Sequence, residues 1–91
     1  MAKPIVFTEH AHQRMQDRGA REVDVLRAVE LGQREPAQRG LHACRFDVEY
    51  GREWAGRHYA VQRIVALIDE EAERIVVVTV YTFYIAEGRA R

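Results

Sequence analysis

The spacing of hydrophobic and polar residues changes once along the chain, and this change separates a helical part from a part made of strands. From Thr8 to Gly32 the apolar residues recur every three or four positions, which is the period of an amphipathic helix. The hydroxyl group of Thr8 is suited to cap a helix start, and Gly19 and Gly32 are suited to end helices. The pattern therefore predicts a first helix between Thr8 and Gly19 and a second helix that ends at Gly32.

The strand part begins after a polar segment, Gln33–Gly40, that is predicted to be a connecting loop. From Leu41 onward apolar and polar residues alternate, which is the period of a half-buried strand. We predict the following order: a strand from Leu41 to Tyr50, a loop at Gly51–Arg57, a strand at Tyr59–Ile68, an acidic turn at Asp69–Glu73 and a strand at Arg74–Tyr84. The end segments, Met1–Val6 and Ala86–Arg91, are predicted to be extended and frayed, respectively.

These elements predict a fold class. A chain of 91 residues is long enough for one modest core, so we expect residues 1–91 to form a single α+β domain. Two helices followed by antiparallel strands favour an arrangement in which the N-terminal helices pack on one face of a three- or four-stranded antiparallel sheet.

Charge and composition exclude several classes of protein. Lys plus Arg and Asp plus Glu number 14 each, so the formal net charge is zero, which argues against a nonspecific nucleic-acid binder. The single cysteine, Cys44, excludes an intrachain disulfide. No apolar run approaches the roughly 20 residues needed to cross a bilayer, and the chain has no serine that could serve as a nucleophile. We expect a cytoplasmic protein that has no membrane partner.

Four histidines call for a test of metal binding. Helical metal ligands recur three or four residues apart, but Arg14 follows His10 and Gln16 follows His12 at that distance. We therefore expect no metal and no cofactor.

The first helix carries the strongest candidate for chemistry. His10, Arg14 and Arg18 are four residues apart, so they form one row on its surface. In the last strand, Thr79 and Tyr81 share one face of an otherwise apolar segment, and buried polar groups need partners. The alternative is a solvated helix face whose arginines pair with carboxylates, beside a threonine chosen for β propensity and a tyrosine with its hydroxyl group at the rim.

Two motifs resemble a known family. The pattern H-A-x-x-R-M-x-x-R-G at His10–Gly19 and the closing V-V-V-T-V-Y at Val76–Tyr81 resemble the small bacterial proteins grouped as DUF4258, a domain of unknown function. That family is in turn similar to the RelE-type and BrnT-type toxin ribonucleases, whose fold is a helical pair followed by an antiparallel sheet. The second resemblance implies RNA cleavage without a metal, by a cluster of His, Arg and hydroxyl side chains.

Such cleavage needs a base for the ribose 2′-hydroxyl, cations for the charge on the phosphorane and an acid for the leaving oxygen. His10 is the candidate base or acid, and Arg14 and Arg18 would clamp the phosphate. Tyr81 would donate to the leaving group or orient the phosphate, and Thr79 would position it.

Four further residues could extend this site. Arg45, His58 and Arg63 could widen the phosphate-binding surface, although their alternation alone does not place them on the active face. Trp54 either stacks a base or anchors the loop around it.

Three hypotheses follow for the function. The first is a toxin-like, metal-independent ribonuclease of a bacterial toxin–antitoxin system, which acts on RNA and is bound by a cognate antitoxin. The second is a noncatalytic binding module whose arginine row docks an acidic partner such as an antitoxin, or a second copy in a homodimer. The third is a structural domain in which the row pairs with the acidic turn at Asp69–Glu73. Convergence of the helical row with Thr79 and Tyr81 on one open cleft favours the first.

Overall fold

The computed structural model describes residues 3–86, and the elements follow one another as two helices set among five strands. In chain order they are β1 (Ile5–Phe7), α1 (Glu9–Arg18), α2 (Glu22–Leu31), β2 (Gln33–Pro36), a short 3-10 helix (Gln38–Gly40), β3 (His42–Trp54), β4 (Arg57–Glu70) and β5 (Ile75–Ile85). The extended segment predicted at Met1–Val6 is described from Lys3 onward, and the tail predicted at Ala86–Arg91 lies, apart from Ala86, outside the described residues.

Both predicted helices are confirmed, and the two glycines act differently. The Thr8 hydroxyl accepts a hydrogen bond from the backbone N–H of Ala11 at 3.0 Å, and Gly19 has a left-handed φ of 72°. Gly32 has an ordinary φ of −74°, but a Cβ atom there would lie 2.6 Å from the carbonyl oxygen of Arg45. Gly32 therefore allows α2 to approach β3 closely. Neither helix of the described chain has the length and apolar character that crossing a membrane requires.

The strands form one sheet in the order β1-β5-β4-β3-β2. β1 runs parallel to β5, and the other neighbouring pairs are antiparallel. The α+β class is confirmed, but the prediction of a three- or four-stranded antiparallel sheet was wrong, because the sheet is five-stranded and mixed. The two strands that were not counted in the predicted sheet lie at its edges. β1 falls mostly in the segment that was predicted to be extended, but it is too short to show a period. β2 is the exposed polar sequence Q-R-E-P, which was predicted to be loop.

The hairpin of β3 and β4 is longer than predicted. The predicted loop at Gly51–Arg57 is wrong, because both strands continue through it and only Ala55 and Gly56 turn the chain. These two residues have φ of 53° and 84°, the positive pair that a tight hairpin turn needs. The register shifts between Glu49 and Arg52, so a bulge interrupts the alternation by which a strand is recognised.

The two faces of the sheet have different environments. Both helices pack on one face, where the core consists of Ala11, Met15, Val25, Ala28, Val29, Cys44, Ile64, Ala66, Ile68, Val77 and Val80. We call the opposite face the open face. Because side chains alternate along a strand, the register assigns to the open face Arg45, Asp47, Arg63, Val65, Leu67, Thr79, Tyr81 and Phe83.

Candidate functional site

α1 lies along the part of β5 that has no neighbouring strand. β1 pairs only with Ile75–Val77, so the outer edge of β5 is free for the helix from Val78 onward. At the start of the helix the Thr8 hydroxyl donates to the Val78 carbonyl oxygen at 3.0 Å. At its end Arg18 Nη1 donates to the Val80 carbonyl oxygen at 2.7 Å. The row on α1 therefore runs beside the strand that carries Thr79 and Tyr81.

Arg18 and Tyr81, which the sequence singled out separately, are in contact. The guanidinium carbon of Arg18 lies 4.9 Å from the centroid of the Tyr81 ring, within the range of a cation–π interaction. Tyr81 is 41% exposed and lies on the open face. Arg18 bonds to the edge of β5 and also reaches the Tyr81 ring. Its guanidinium therefore lies next to the open face, although its backbone belongs to α1.

The carboxyl end of α1 is fixed by side chains of the sheet. The Arg18 carbonyl oxygen accepts hydrogen bonds from the Thr82 hydroxyl at 3.1 Å and from the Tyr84 hydroxyl at 2.5 Å. Gln62 Nε2, which is buried, donates to the Gly19 carbonyl oxygen at 3.0 Å and to the Tyr84 hydroxyl at 3.0 Å. Satisfied bonds of this kind hold a side chain in position before any ligand arrives.

Trp54 belongs to this anchoring layer. Its ring stacks on the Tyr84 ring with centroids 5.3 Å apart and an interplanar angle of 14°. Tyr50 and Tyr59 also contact the Tyr84 ring, at 5.4 Å and 5.3 Å. The position of Trp54 against Gly19 agrees with the predicted anchor, and base stacking by this ring stays a prediction.

The other members of the helical row lie on the same flank of α1 as Arg18. Arg14 Nη1 pairs with Asp17 Oδ2 on its own helix at 2.7 Å, and both side chains are partly exposed. His10 is exposed in the first turn. Within residues 3–86, no hydrogen bond or ring contact joins His10 to Thr79 or Tyr81, so the structure brings Arg18 to Tyr81 without closing the whole predicted cluster.

Carboxylates of the acidic turn at Asp69–Glu73 pair with basic residues outside α1. Glu70 accepts hydrogen bonds from Lys3 at 2.9 Å and from Arg34 at 2.5 Å, and Glu71 pairs with Arg74 at 2.7 Å. These bonds lower the pKa of Glu70, most of all through the hydrogen bond from Lys3. In the described chain the row on α1 makes no ion pair with this turn, so the contact predicted by the structural hypothesis was wrong.

Thr79 lies on the open face but is only 8% exposed. It pairs with Leu67 of β4 and precedes Tyr81 by two residues. Its side chain is therefore largely shielded from solvent.

Two of the three outlying arginine and histidine candidates share the open face with Tyr81. Arg45 pairs in register with Val65, and Val65 pairs with Tyr81, so the three residues form one row across the sheet. Arg45 donates to the Gln33 amide oxygen at 2.6 Å. Arg63 binds both carboxylate oxygens of Asp47, at 2.7 Å and 3.0 Å, which raises the pKa of Arg63 above its ordinary value.

His58 lies apart from this group. It pairs with Glu53 next to the hairpin turn and is exposed. Seven residues of extended strand separate it from Val65, which corresponds to about 23 Å. The structure therefore does not bring His58 to the row of Arg45 and Tyr81.

Phe83 is the residue of this surface that sequence reasoning missed. It is 53% exposed and lies on the open face in register with Arg63. The alternation of Thr79, Tyr81 and Phe83 was the available signal, because residues two apart in a strand share a face.

A depression of about 390 Å³ lies beside the arginines of β3 and β4. Its lining includes Gln33, Arg45, Asp47 and Arg63. Among the described residues, no group of three or more His, Cys, Asp and Glu side chains is placed to hold a metal ion. The polar groups that line the depression are two guanidiniums, one carboxylate and one amide.

Comparison with known proteins adds a family but no activity. The family described as Domain of unknown function (DUF4258) matches residues 7–82, which include the row on α1 and the strand with Tyr81. No curated protein and no solved structure matches the chain, so no match joins it to a toxin ribonuclease. The matched range is most of the 91 residues, and the chain therefore belongs to the family of domains of unknown function DUF4258.

Proposed function

We propose that the domain is a toxin-like ribonuclease that cleaves RNA without a metal, at the flank of α1 that carries His10, Arg14 and Arg18. The observation that supports this most is the position of the Arg18 guanidinium 4.9 Å from the Tyr81 ring centroid. A fixed cation beside an exposed phenol is a combination that can hold a phosphate oxygen and protonate a leaving group.

In the proposed reaction His10 removes the proton of a ribose 2′-hydroxyl, and the resulting oxygen attacks the adjacent phosphorus. Arg14 and Arg18 stabilise the added negative charge on the phosphorane. Tyr81 donates its proton to the 5′-oxygen, which leaves as its bond to phosphorus breaks. The products are a 2′,3′-cyclic phosphate and a 5′-hydroxyl. His10 then releases the proton that it gained to solvent, and Tyr81 takes up a proton from solvent.

The spacing of the row favours a scissile phosphate beside Arg14. His10 and Arg18 are eight residues apart, or about 12 Å along the helix axis, so a group between them lies within reach of both long side chains. Arg14 exchanges the Asp17 carboxylate for the phosphate, at small cost because exposed ion pairs contribute little. Thr79 positions the phosphate from the same strand as Tyr81.

The test is cleavage of labelled RNA by the purified chain in the presence of EDTA. We expect His10→Ala to lower the rate by roughly 10²- to 10⁴-fold, the usual contribution of a general acid or base. His12→Ala is the matched control, because His12 is also exposed on α1 but lies on the other flank, where its ring is 5.2 Å from that of Phe7.

The same variants separate the proposal from a folding artefact in cells. Expression of the wild-type chain should arrest growth, and His10→Ala but not His12→Ala should relieve the arrest. Harmless expression together with intact RNA in vitro contradicts the proposal. Equal rates for the two histidine variants contradict the role of His10.

A second candidate is a noncatalytic binding module, and the exposure of Phe83 together with the neutral chain favours it. Its partner would be an acidic antitoxin or a second copy of the chain, docked through the arginine row. On this proposal Arg14→Glu converts an associating species to a monomer in sedimentation velocity and leaves cellular RNA unchanged. A monomeric wild-type chain that cleaves RNA contradicts it.

A further inference from the structure

Two aromatic rings project from the open face. Tyr81 is 41% exposed and Phe83 is 53% exposed, and they are two residues apart on β5. A large apolar ring on a solvated sheet face has no role in the core, which lies on the other side of the sheet. Exposed rings of this kind are typical of surfaces that stack nucleic-acid bases or bind a protein.

The charges around the rings favour nucleic acid. Arg18 donates to a backbone carbonyl and Arg45 donates to the Gln33 amide. Both acceptors are neutral, and within residues 3–86 neither arginine forms an ion pair with a carboxylate. By contrast, Arg63 and Asp47 neutralise each other through two hydrogen bonds.

These two arginines flank the aromatic strand. Arg18 lies over the Tyr81 ring from α1. Arg45 lies two strands away on the open face, in the row that passes through Val65, or about 10 Å from Tyr81 at the usual strand spacing. A backbone that carries negative charge can therefore cross β5 between two cations while its bases meet the rings.

We propose that the open face binds single-stranded RNA, with bases stacked on Phe83 and Tyr81 and phosphates held by Arg18 and Arg45. This inference rests on the proposed ribonuclease and names its substrate class. A duplex does not fit, because its base faces are covered by neighbouring bases, whereas an unpaired strand presents them to aromatic side chains. The row on α1 then receives the phosphate that follows the bound bases.

The experiment measures binding without cleavage. A fluorescent 2′-O-methyl RNA of 12 nucleotides lacks the attacking hydroxyl, so the wild-type chain can be titrated intact by fluorescence anisotropy. We expect binding of the single strand and much weaker binding of the same sequence as a duplex. Phe83→Leu should weaken single-strand binding roughly 5- to 150-fold, the effect of losing one stacked base.

The variants separate stacking from apolar contact. Phe83→Tyr keeps the ring and should bind as the wild type does. Val23→Ala removes an exposed apolar side chain of α2, 46% exposed, and should leave binding unchanged. Arg45→Gln should weaken binding and reduce its salt dependence, because one phosphate contact with a single strand releases about 0.7 counterion. Thermal unfolding confirms that each variant is folded.

Each outcome decides the inference. Equal binding by Phe83→Leu and the wild type, or equal binding of duplex and single strand, overturns it. Loss of self-association in Phe83→Leu without any RNA binding overturns it in favour of protein docking. Binding that depends on the Phe83 ring, without cleavage of unmodified RNA, supports this inference and contradicts the ribonuclease. Cleavage at the same rate by Phe83→Leu and the wild type supports the ribonuclease and contradicts this inference.

Discussion

At the scale of single residues, Tyr84 links the end of α1 to the sheet through one hydroxyl group. It donates to the Arg18 carbonyl oxygen and accepts from Gln62 Nε2. Its ring supports Trp54. These bonds fix the backbone of Arg18, from which its guanidinium extends toward Tyr81. Tyr84 is therefore a positioning residue for the proposed site.

Burial raises the pKa of Tyr84 above its ordinary value of about 10. The Tyr84 hydroxyl therefore ionises at a higher pH in the folded state than in the unfolded chain. The resulting stabilisation is complete below the unfolded-state pKa and is lost as the pH rises through the folded-state value. We expect the wild type to lose stability between pH values of about 9 and 11 and Tyr84→Phe, which cannot ionise there, to lose less. Urea unfolding at the two pH values measures both losses.

Tyr59→Phe is the matched control for this prediction. Tyr59 contacts the same ring at 5.3 Å but does not bond to α1, so its removal should leave the wild-type alkaline response in place. An alkaline loss in Tyr84→Phe as large as that of the wild type would show that the Tyr84 hydroxyl is not the group responsible.

The sequence identified Arg18 and Tyr81 one by one but could not show that they meet. Helical spacing predicts which residues share a row on α1, and strand alternation predicts that Thr79 and Tyr81 share a face. Neither pattern predicts where the helix lies along the edge of β5. That position depends on bonds between residues about 60 to 70 apart, such as Arg18 to Val80 and Thr8 to Val78.

At the scale of elements, the end of α1 combines two requirements at Gly19. Its φ of 72° lies in the left-handed region, and a Cβ atom would lie 2.6 Å from the Trp54 ring and 2.9 Å from the Tyr84 hydroxyl oxygen. Glycine is needed for the turn and also for the space beneath the aromatic layer.

We expect Gly19→Ala to destabilise the fold by more than Gly40→Ala. Gly40 has a similar φ of 75° but open space around it, so its substitution costs only the left-handed backbone, about 1–2 kcal/mol. Gly19→Ala adds the displacement of Trp54 and Tyr84, roughly 1–3 kcal/mol for overpacking. Urea unfolding of both variants measures the difference. Equal losses of unfolding free energy would show that Trp54 and Tyr84 move aside at no cost.

The ends of α1 could be predicted because residues near in sequence fix them. β2 and the end of β3 carry no comparable local signal. Thr8 and Gly19 fix the helix ends through bonds to near neighbours, so the residues themselves carry the signal. β2 is polar and exposed because it pairs with one strand only, and no hydrophobic period marks it. The bulge after Glu49 likewise broke the alternation that would have extended β3 to Trp54.

At the scale of the whole molecule, one carboxylate joins three parts of the sheet. Glu70 ends β4 and accepts hydrogen bonds from Lys3, which precedes β1, and from Arg34 of β2. β1 and β2 are the two edges of the sheet. The carboxylate therefore connects the first residues described to the opposite edge.

The lowered pKa of Glu70 gives this network a pH dependence. A carboxyl whose pKa is depressed in the folded state stabilises the fold above its unfolded-state value, and this stability is lost as the pH falls through the folded-state value. We expect Glu70→Gln to be less stable than the wild type near pH 7 and to lose less on acidification to a pH of about 3.

Urea unfolding at both pH values tests the role of Glu70. Glu73→Gln, an exposed change in the same turn, is the control and should follow the wild type. A wild-type acid response in Glu70→Gln would assign that response to other carboxylates.

Because β1 pairs with β5, the sheet cannot close before β5 has been synthesised. Thr8 bonds to Val78 across 70 positions of the chain, and contacts of such separation form late. While the ribosome is still adding the last strand, α1 has emerged without the edge it rests on, and its apolar side is exposed to chaperones and proteases. The nascent chain is therefore vulnerable until translation of β5 is complete.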